Sequence, residues 1–406
     1  MHRATVASPP RRPVGVVLAV LAAALAGPAH DQAEEPSSPP PEPAAPSSLD
    51  APSGAGAEPA TVITSYGEIN VNRPISSASD TIADLRRFVL GMQHRFSPVM
   101  KFVAELEVEH AVSSAGDQGE VEVEQAFIER QLGATWAARA GLILMPMGLL
   151  NEHHEPTVYY GVERNFVETA IVPSTWREGG VEIVGAFENG LTLQGGVSTS
   201  FDAHKWDAAS TEGQDSPLGS IHQELQLARA RDLGAFAALD WRGMPGLLVG
   251  GAAFVGGAGQ GQSPSSTPVV ALWDLHARWT PPRLDLSALY ARGTISNTAA
   301  LNAPLVGNPT LIPAAFDGWY LQAAYQAWTH GELALKPFVR FERFNTGQSF
   351  ADLGPGLTPA ARPTESVVTV GANFDVSSEV VIKADYQRFE VDTSRSRVDL
   401  GLGWSF

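Results

Sequence analysis

The chain reads as an all-β protein, a transmembrane antiparallel β-barrel of about sixteen strands. Three observations predict this. From residue 61 onward, segments of roughly 9–11 residues alternate apolar and polar side chains, the length and period of a tilted membrane strand. Tight turns and longer connections join these segments in alternation, a sorting that a soluble sandwich has no reason to keep. Aromatic residues of the apolar parity collect beside the tight turns, as the girdle of a membrane barrel requires. Alternation alone also occurs in half-buried soluble sheets, so the three observations count together.

Composition limits the alternatives. The 406 residues include no cysteine. An exported chain without disulfides is held by packing and hydrogen bonding, which a closed barrel supplies. Beyond the N-terminus no stretch reaches the roughly 18 apolar residues of a spanning helix. Residues 1–26 have the form of a signal peptide. Arg3, Arg11 and Arg12 make the basic region, residues 14–26 the apolar core, and Ala24-Leu25-Ala26 the cleavage site, with Ala29 as a later alternative. Residues 27–60 follow as a disordered linker, with Pro36, Pro39, Pro40, Pro41 and further prolines among Ala, Ser and Glu. The barrel domain is then 61–406. A formal charge of −17 argues against a nucleic-acid partner.

Taken in order, the first strand covers residues 61–72. The second, 85–96, puts Phe88, Leu90, Met92 and Phe96 on one face and Arg87, Gln93 and Arg95 on the other. The third, 99–111, sets Phe102, Ala104, Leu106 and Val108 outward against Glu105, Glu107 and Glu109 inward. The fourth, 120–132, sets Val121, Val123 and Phe127 outward against Glu120, Glu122 and Glu124 inward. The fifth, 135–145, carries Trp136, Ala138, Ala140, Leu142 and Leu144 outward and Arg139 inward. A long polar interruption, 146–176, separates it from the sixth strand, 177–187, which turns at Asn189-Gly190, a strong hairpin signal. The seventh strand is 191–201. The loop 202–232 follows, with a short helix expected over 221–231.

Strands eight and nine (233–241, 247–256) turn at Gly243-Met244-Pro245-Gly246. Ten and eleven (269–279, 283–292) turn at Pro281-Pro282. Twelve and thirteen (319–328, 332–344) turn at His330-Gly331, and fourteen and fifteen (365–376, 380–389) at Ser377-Ser378. The sixteenth, 397–406, alternates Val398, Leu400, Leu402, Trp404 and Phe406 against Arg397, Asp399, Gly401, Gly403 and Ser405. It resembles the C-terminal signal by which bacterial outer-membrane proteins are recognised for assembly. Phe96, Trp136, Phe187, Trp241, Trp279, Phe374, Trp404 and Phe406 form the expected girdle.

A barrel of this size leaves room for an aqueous channel. The inward parity supplies its lining: an acidic wall of Glu105, Glu107, Glu109, Glu120, Glu122 and Glu124, and elsewhere Arg87, Arg95, Arg139, Arg278, Lys336, Arg340, Lys383 and Asp385. Opposed walls would set up a transverse field favouring polar solutes; equally, the charges pair and stiffen the wall.

The interruption after the fifth strand carries the distinctive residues: Asn151, Glu152, His153, His154, Glu155, Pro156, Arg164, and Trp176, Arg177 and Glu178 in the run 173–180. Together with Arg139-Ala140-Gly141, these segments resemble the centre of the phosphate-selective porin O/P family, loosely from Tyr66 to Phe406. The resemblance implies a trimer of sixteen-stranded barrels. It also implies that this third extracellular loop folds toward the lumen and narrows the pore. The loop departs from the family's basic clusters. Its only cationic residue of the Lys/Arg type is Arg164, while Glu152, Glu155, Glu163 and Glu168 surround it. A weakly selective or cation-preferring pore is the expectation.

Other constellations point elsewhere only weakly. Glu152-His153-His154-Glu155 lacks the H-E-x-x-H spacing of a zinc site. Ser174 with His153 or His154 has no nucleophile motif around it. The glycines from Gly256 to Gly261 lack the helix a nucleotide loop needs. The sequence therefore predicts an outer-membrane porin without catalytic residues, cofactor or metal. Its partners would be outer-membrane lipid, two further copies, and the assembly machinery through the strand ending at Phe406.

Overall fold

The computed structural model describes residues 60–111, 119–262 and 267–406. The expected signal peptide, 1–26, and the expected linker, 27–60, save its last residue, lie outside the described residues. No helix among the described residues is long and apolar enough to cross a membrane.

The strands are β1 (Thr61–Pro74), β2 (Ile82–Ser97), β3 (Met100–Glu109), β4 (Val121–Gln131), β5 (Trp136–Leu144), β6 (Arg177–Ala186), β7 (Leu191–Thr199), β8 (Leu233–Met244), β9 (Leu247–Gly257), β10 (Val269–Trp279), β11 (Leu284–Ile295), β12 (Ala315–Tyr325), β13 (Trp328–His330), β14 (Leu333–Ser349), β15 (Glu365–Asp375), β16 (Val380–Phe389) and β17 (Arg397–Ser405). Each pairs antiparallel with its sequence neighbours. β12 and the three-residue β13 both pair with β14. They are two halves of one stave, so the barrel has the sixteen staves expected from sequence. β1 closes it against β17, with Tyr66 opposite Ser405 and Pro74 opposite Arg397. Closure leaves no sheet edge and satisfies the strand backbone internally, the condition for a β-structure in an apolar medium.

The alternation resolves into two faces. Leu106, Val181, Ile183, Val255, Leu275, Leu321, Val370 and Leu402 are exposed on the outside, an apolar band no water-soluble monomer tolerates. At the end carrying the tight turns, Phe96, Trp136, Trp279 and Phe406 are exposed, and Trp136 meets Phe187 edge-on at 5.4 Å. These are five of the eight aromatics expected to form the girdle.

Two expectations are corrected. Phe127 faces inward, at 7% exposure, and Ile128 faces out. Glu105 pairs with Gln125 but Leu106 with Val123, so a β-bulge at Glu124 reverses the parity of the rest of β4. The helix expected over residues 221–231 does not form. Glu224, Leu225 and Leu227 take φ of 51°, 57° and 51°. The Gln223 side chain donates to the carbonyls of Ser200 and Arg229 and accepts from Arg229 N. Those bonds take the place of a helical ladder. Leu225 instead lies against Gly179, whose neighbour on β5, Leu142, is buried despite its outward parity.

The bore is filled unevenly. Toward the loop end, inward residues of β8–β16 are apolar: Phe236, Phe254, Leu272, Leu289, Phe316, Phe344, Val367 and Phe389. Met145, Met147, Val167, Ile171, Val172 and Trp176 of the β5–β6 connection pack against them, joined by Phe201, Trp206, Leu218 and Ile221 of the next loop. Nothing in the strand parity distinguishes this half from the charged half near the turns.

Candidate channel lumen

The connection between β5 and β6 enters the bore because its neck is tied and its sides are bonded to the wall. Met145 N donates to Trp176 O at 2.9 Å, the last rung between the strands. Asn151 then clamps the neck. Its Nδ2 donates to Met145 O at 2.7 Å and Trp176 O at 2.8 Å, and its Oδ1 accepts from Trp176 N at 2.7 Å. The indole of Trp176 is fully buried between Phe201 and Phe254.

From the neck the segment crosses to the far wall. His154 Nδ1 donates to Asn151 O at 3.0 Å, and its Nε2 bonds the Tyr66 hydroxyl at 2.7 Å. Tyr66 in turn donates to Glu124 at 2.6 Å. Arg87 Nη2 donates to the His154 carbonyl at 2.7 Å while its Nε holds Glu68 at 3.0 Å. Burial draws the His154 imidazole down, but the Glu124 carboxylate at 3.4 Å outweighs it and holds the imidazole above the usual histidine range.

Further along, the Tyr159 hydroxyl donates to Glu68 at 2.7 Å, and Lys383 Nζ sits 3.5 Å over its ring. Backbone groups of the segment meet wall side chains in turn. Asn373 donates to Tyr159 O, Arg340 donates to Tyr160 O, Val162 N donates to Asp385 and Phe166 N donates to Glu342. A single π-helical turn, Val167–Ile171, brings the chain back. Its Glu168 accepts from Leu149 N, Leu150 N, Asn165 and Tyr320. Burial pushes the Glu168 carboxyl up against those hydrogen bonds.

The residues expected to line a pore therefore divide. Arg87, Glu107, Glu124, Arg340, Lys383 and Asp385 are buried, most of them spent on holding the segment. Arg278 is paired with Asp285 at 2.7 Å and Lys336 with Asp375 at 2.5 Å, both partly exposed near the turns. Arg95 is exposed at the turn end of β2. Glu109 lies 4.0 Å from His110 at the loop end.

On the β3–β7 side Glu105, Arg139 and Glu152 keep partial exposure, while Glu129 and Glu182 are buried. Glu105 accepts from Gln125 at 2.6 Å. Arg139 bonds Glu129 at 2.8 Å and Glu182 at 3.2 Å. Glu152 of the segment accepts from Gln194 at 3.0 Å and stands 4.0 Å from Arg139. Its side chain is 28% exposed, and that of Arg139 14%. His153 and Glu155 are half-buried beside it.

The remaining expected loop residues have local roles. Arg164 donates to the hydroxyls of Ser174 at 2.7 Å and Thr175 at 2.9 Å. Arg177 bridges Glu122 at 2.5 Å and Glu224 at 3.2 Å. Glu178 is buried and accepts from Trp176 Nε1 at 3.3 Å and from Thr199. Ser174 and the two histidines make separate contacts and form no nucleophile–base pair. Among the described residues no group of His, Asp and Glu is arranged to hold a metal. Sequence reasoning missed Tyr66, Glu68, Tyr159 and Asn373. Only Glu68 had a readable signal, its inward parity opposite Arg87 on the next strand.

No protein-family model matches the sequence. An uncharacterized protein of Aquifex aeolicus (strain VF5) is 27% identical over 336 residues, covering 80% of this chain and 75% of that one. Among solved structures, the fold is similar to OmpF of Salmonella typhi in complex with daunomycin. That likeness has a TM-score of 0.59 at 13% identity and covers 85% of this chain and 97% of the other. It is also similar to the outer membrane channel DcaP of Acinetobacter baumannii, with a TM-score of 0.54 at 12% identity over 85% and 97%. At these identities the likeness is one of fold.

Proposed function

We propose that this chain is an outer-membrane porin through which small hydrophilic solutes and ions diffuse passively, and that residues 146–176 narrow its bore. The observation that carries the reading is the placement of Glu152. It sits on a segment bonded to β1, β2, β14, β15 and β16, yet its own side chain keeps 28% exposure where it meets Gln194 at 3.0 Å and Arg139 at 4.0 Å. A built obstruction with a charged, solvent-reached side is what a selective passage requires. Solved structures of like fold include an outer membrane channel, which supports the location and the class. Export through residues 1–26, a spacer at 27–60 and insertion through the strand ending at Phe406 belong to the same reading.

The passage prefers cations weakly. Glu105, Glu122, Glu152 and Glu155 border it, against Arg139 and Arg177, each already bonded to two carboxylates. Phosphate selectivity, implied by the sequence resemblance, has less support, because the segment carries only Arg164 and no lysine.

The working unit is a homotrimer. An outer groove of about 390 Å³ at β4–β7 is floored by Ala138, Ala140 and Gly195 and walled by Ile128, Ile183 and Val197. Small residues of this kind allow close approach of another copy within a bilayer.

Liposome swelling tests the function. Vesicles bearing the purified protein should swell in small sugars and amino acids and swell less as solute size rises. Vesicles that stay unresponsive to every solute would exclude a diffusion channel.

A further inference from the structure

A repeated outward pattern on three upward strands has no role in the passage. On β11, β14 and β16 an outward aromatic is followed, two residues nearer the loop end, by an outward arginine: Tyr290 and Arg292, Phe341 and Arg343, Tyr386 and Arg388. β1 adds Arg73 above Val71. The four arginines fall on every second stave, roughly 10 Å apart across the strands.

The register places them at one height. Arg292 faces Asp317, which pairs with Asn345, two residues above Arg343. Arg343 pairs with Ser366, two residues from Val368, the partner of Arg388. Tyr386, two below Arg388, shares its row with Val398 and Arg73. Each step moves down the ladder by two residues for two staves, the sense in which the turn-end aromatics Phe374 and Trp404 also step. Tilted strands require such a stagger for a level belt.

Arg292 is bonded to Gln348 and lies 3.8 Å from Asp317. Among the described residues Arg73, Arg343 and Arg388 have no hydrogen bond or ion pair, and all three are exposed. The acids in the band are Asp317 and Glu390. Three unpartnered guanidiniums on a lipid-facing surface are costly unless an anion meets them. Their stems lie on apolar wall and their heads rise toward the membrane boundary.

We propose that this belt binds the phosphate groups of an outer-leaflet glycolipid, with Arg73, Arg343 and Arg388 as the anion contacts and Tyr290, Trp319, Phe341 and Tyr386 beneath them at the acyl boundary. Trp319 and Phe341 already meet at 5.4 Å on that face. Phosphate suits these side chains because guanidinium presents a planar donor fork to it. The inference rests on the outer-membrane reading above.

The test uses the full chain in nanodiscs doped with bisphosphorylated lipid A, phosphatidylglycerol or phosphatidylcholine, with retained lipid counted by native mass spectrometry. The wild type should hold lipid A above phosphatidylglycerol and show no preference for phosphatidylcholine. Arg73→Gln, Arg343→Gln and Arg388→Gln should each weaken lipid A binding roughly fivefold, and on the order of a hundredfold together. Arg283→Gln, exposed in the turn before β11, should leave lipid A retention unchanged. None of the belt residues faces the passage, so an unchanged conductance of the triple variant certifies its fold.

Equal lipid A retention in the triple variant overturns the proposal. So does dissociation of the oligomer with lipid binding intact, since the belt would then contact a second copy. Preference for phosphatidylglycerol over lipid A would likewise overturn it by assigning the belt to simple anionic lipid. A wild type that fails to insert into any bilayer instead refutes the outer-membrane reading itself.

Discussion

Asn151 and Trp176, 25 residues apart, are locked by reciprocal hydrogen bonds, Trp176 N to Asn151 Oδ1 at 2.7 Å and Asn151 Nδ2 to Trp176 O at 2.8 Å. One amide side chain thereby closes the neck of a segment that then spans the bore. Asparagine suits the place because its donor and acceptor both find backbone partners, Met145 O being the second acceptor.

Asn151→Ala removes those bonds and leaves buried backbone groups unpaired. The expected cost is on the order of 3 kcal/mol, falling on the segment rather than on the barrel. Limited proteolysis within residues 146–176 should accelerate while the strands stay resistant. Uniform loss of resistance along the chain would contradict a local clamp.

His154 gives the segment a pH dependence. Its imidazole is held above the usual histidine range by Glu124, so the contribution is complete at low pH and is lost as pH rises through the raised value. Open-channel current should become noisier in alkaline buffer, as this attachment loosens. His154→Gln should show the noise at all pH values. An alkaline-quiet, acid-noisy record would reverse the sign and exclude this pair as the anchor.

The bulge at Glu124 is tested by labelling, which the absence of cysteine makes simple. A spin label at Ile128→Cys should be reached by oxygen dissolved in lipid, and one at Phe127→Cys should not. The opposite pattern would restore the uninterrupted parity.

On the proposed reading, Glu152 sets the charge of the passage. Glu152→Gln should shift the zero-current potential in a salt gradient toward anion permeation, because the Arg139 side then faces one fewer carboxylate. A potential that does not move places the ion path elsewhere.

The barrel was legible because lipid imposes one rule on every second residue, and the outward leucines and valines from Leu106 to Leu402 obey it. Phe127 escaped because one inserted residue reverses a face without marking the sequence. The division of the inward wall into an apolar half and a charged half was also hidden. Phe254 and Glu124 are both inward, and parity says nothing of what will lie against them. Asn151, His154 and Arg164 were legible as distinctive residues, but the partners of His154, Tyr66 and Glu124, come from β1 and β4. Only the folded register brings them together.

Single-channel recording distinguishes an obstructed bore from an open one. The wild type is compared with a variant in which residues 152–166 are replaced by a short Gly-Ser linker, both shown to be folded by heat-modifiable migration. A bore crossed by residues 146–176 should give small, steady openings in the wild type and a severalfold larger conductance once the crossing segment is gone. Equal conductance in the two proteins would contradict the obstruction.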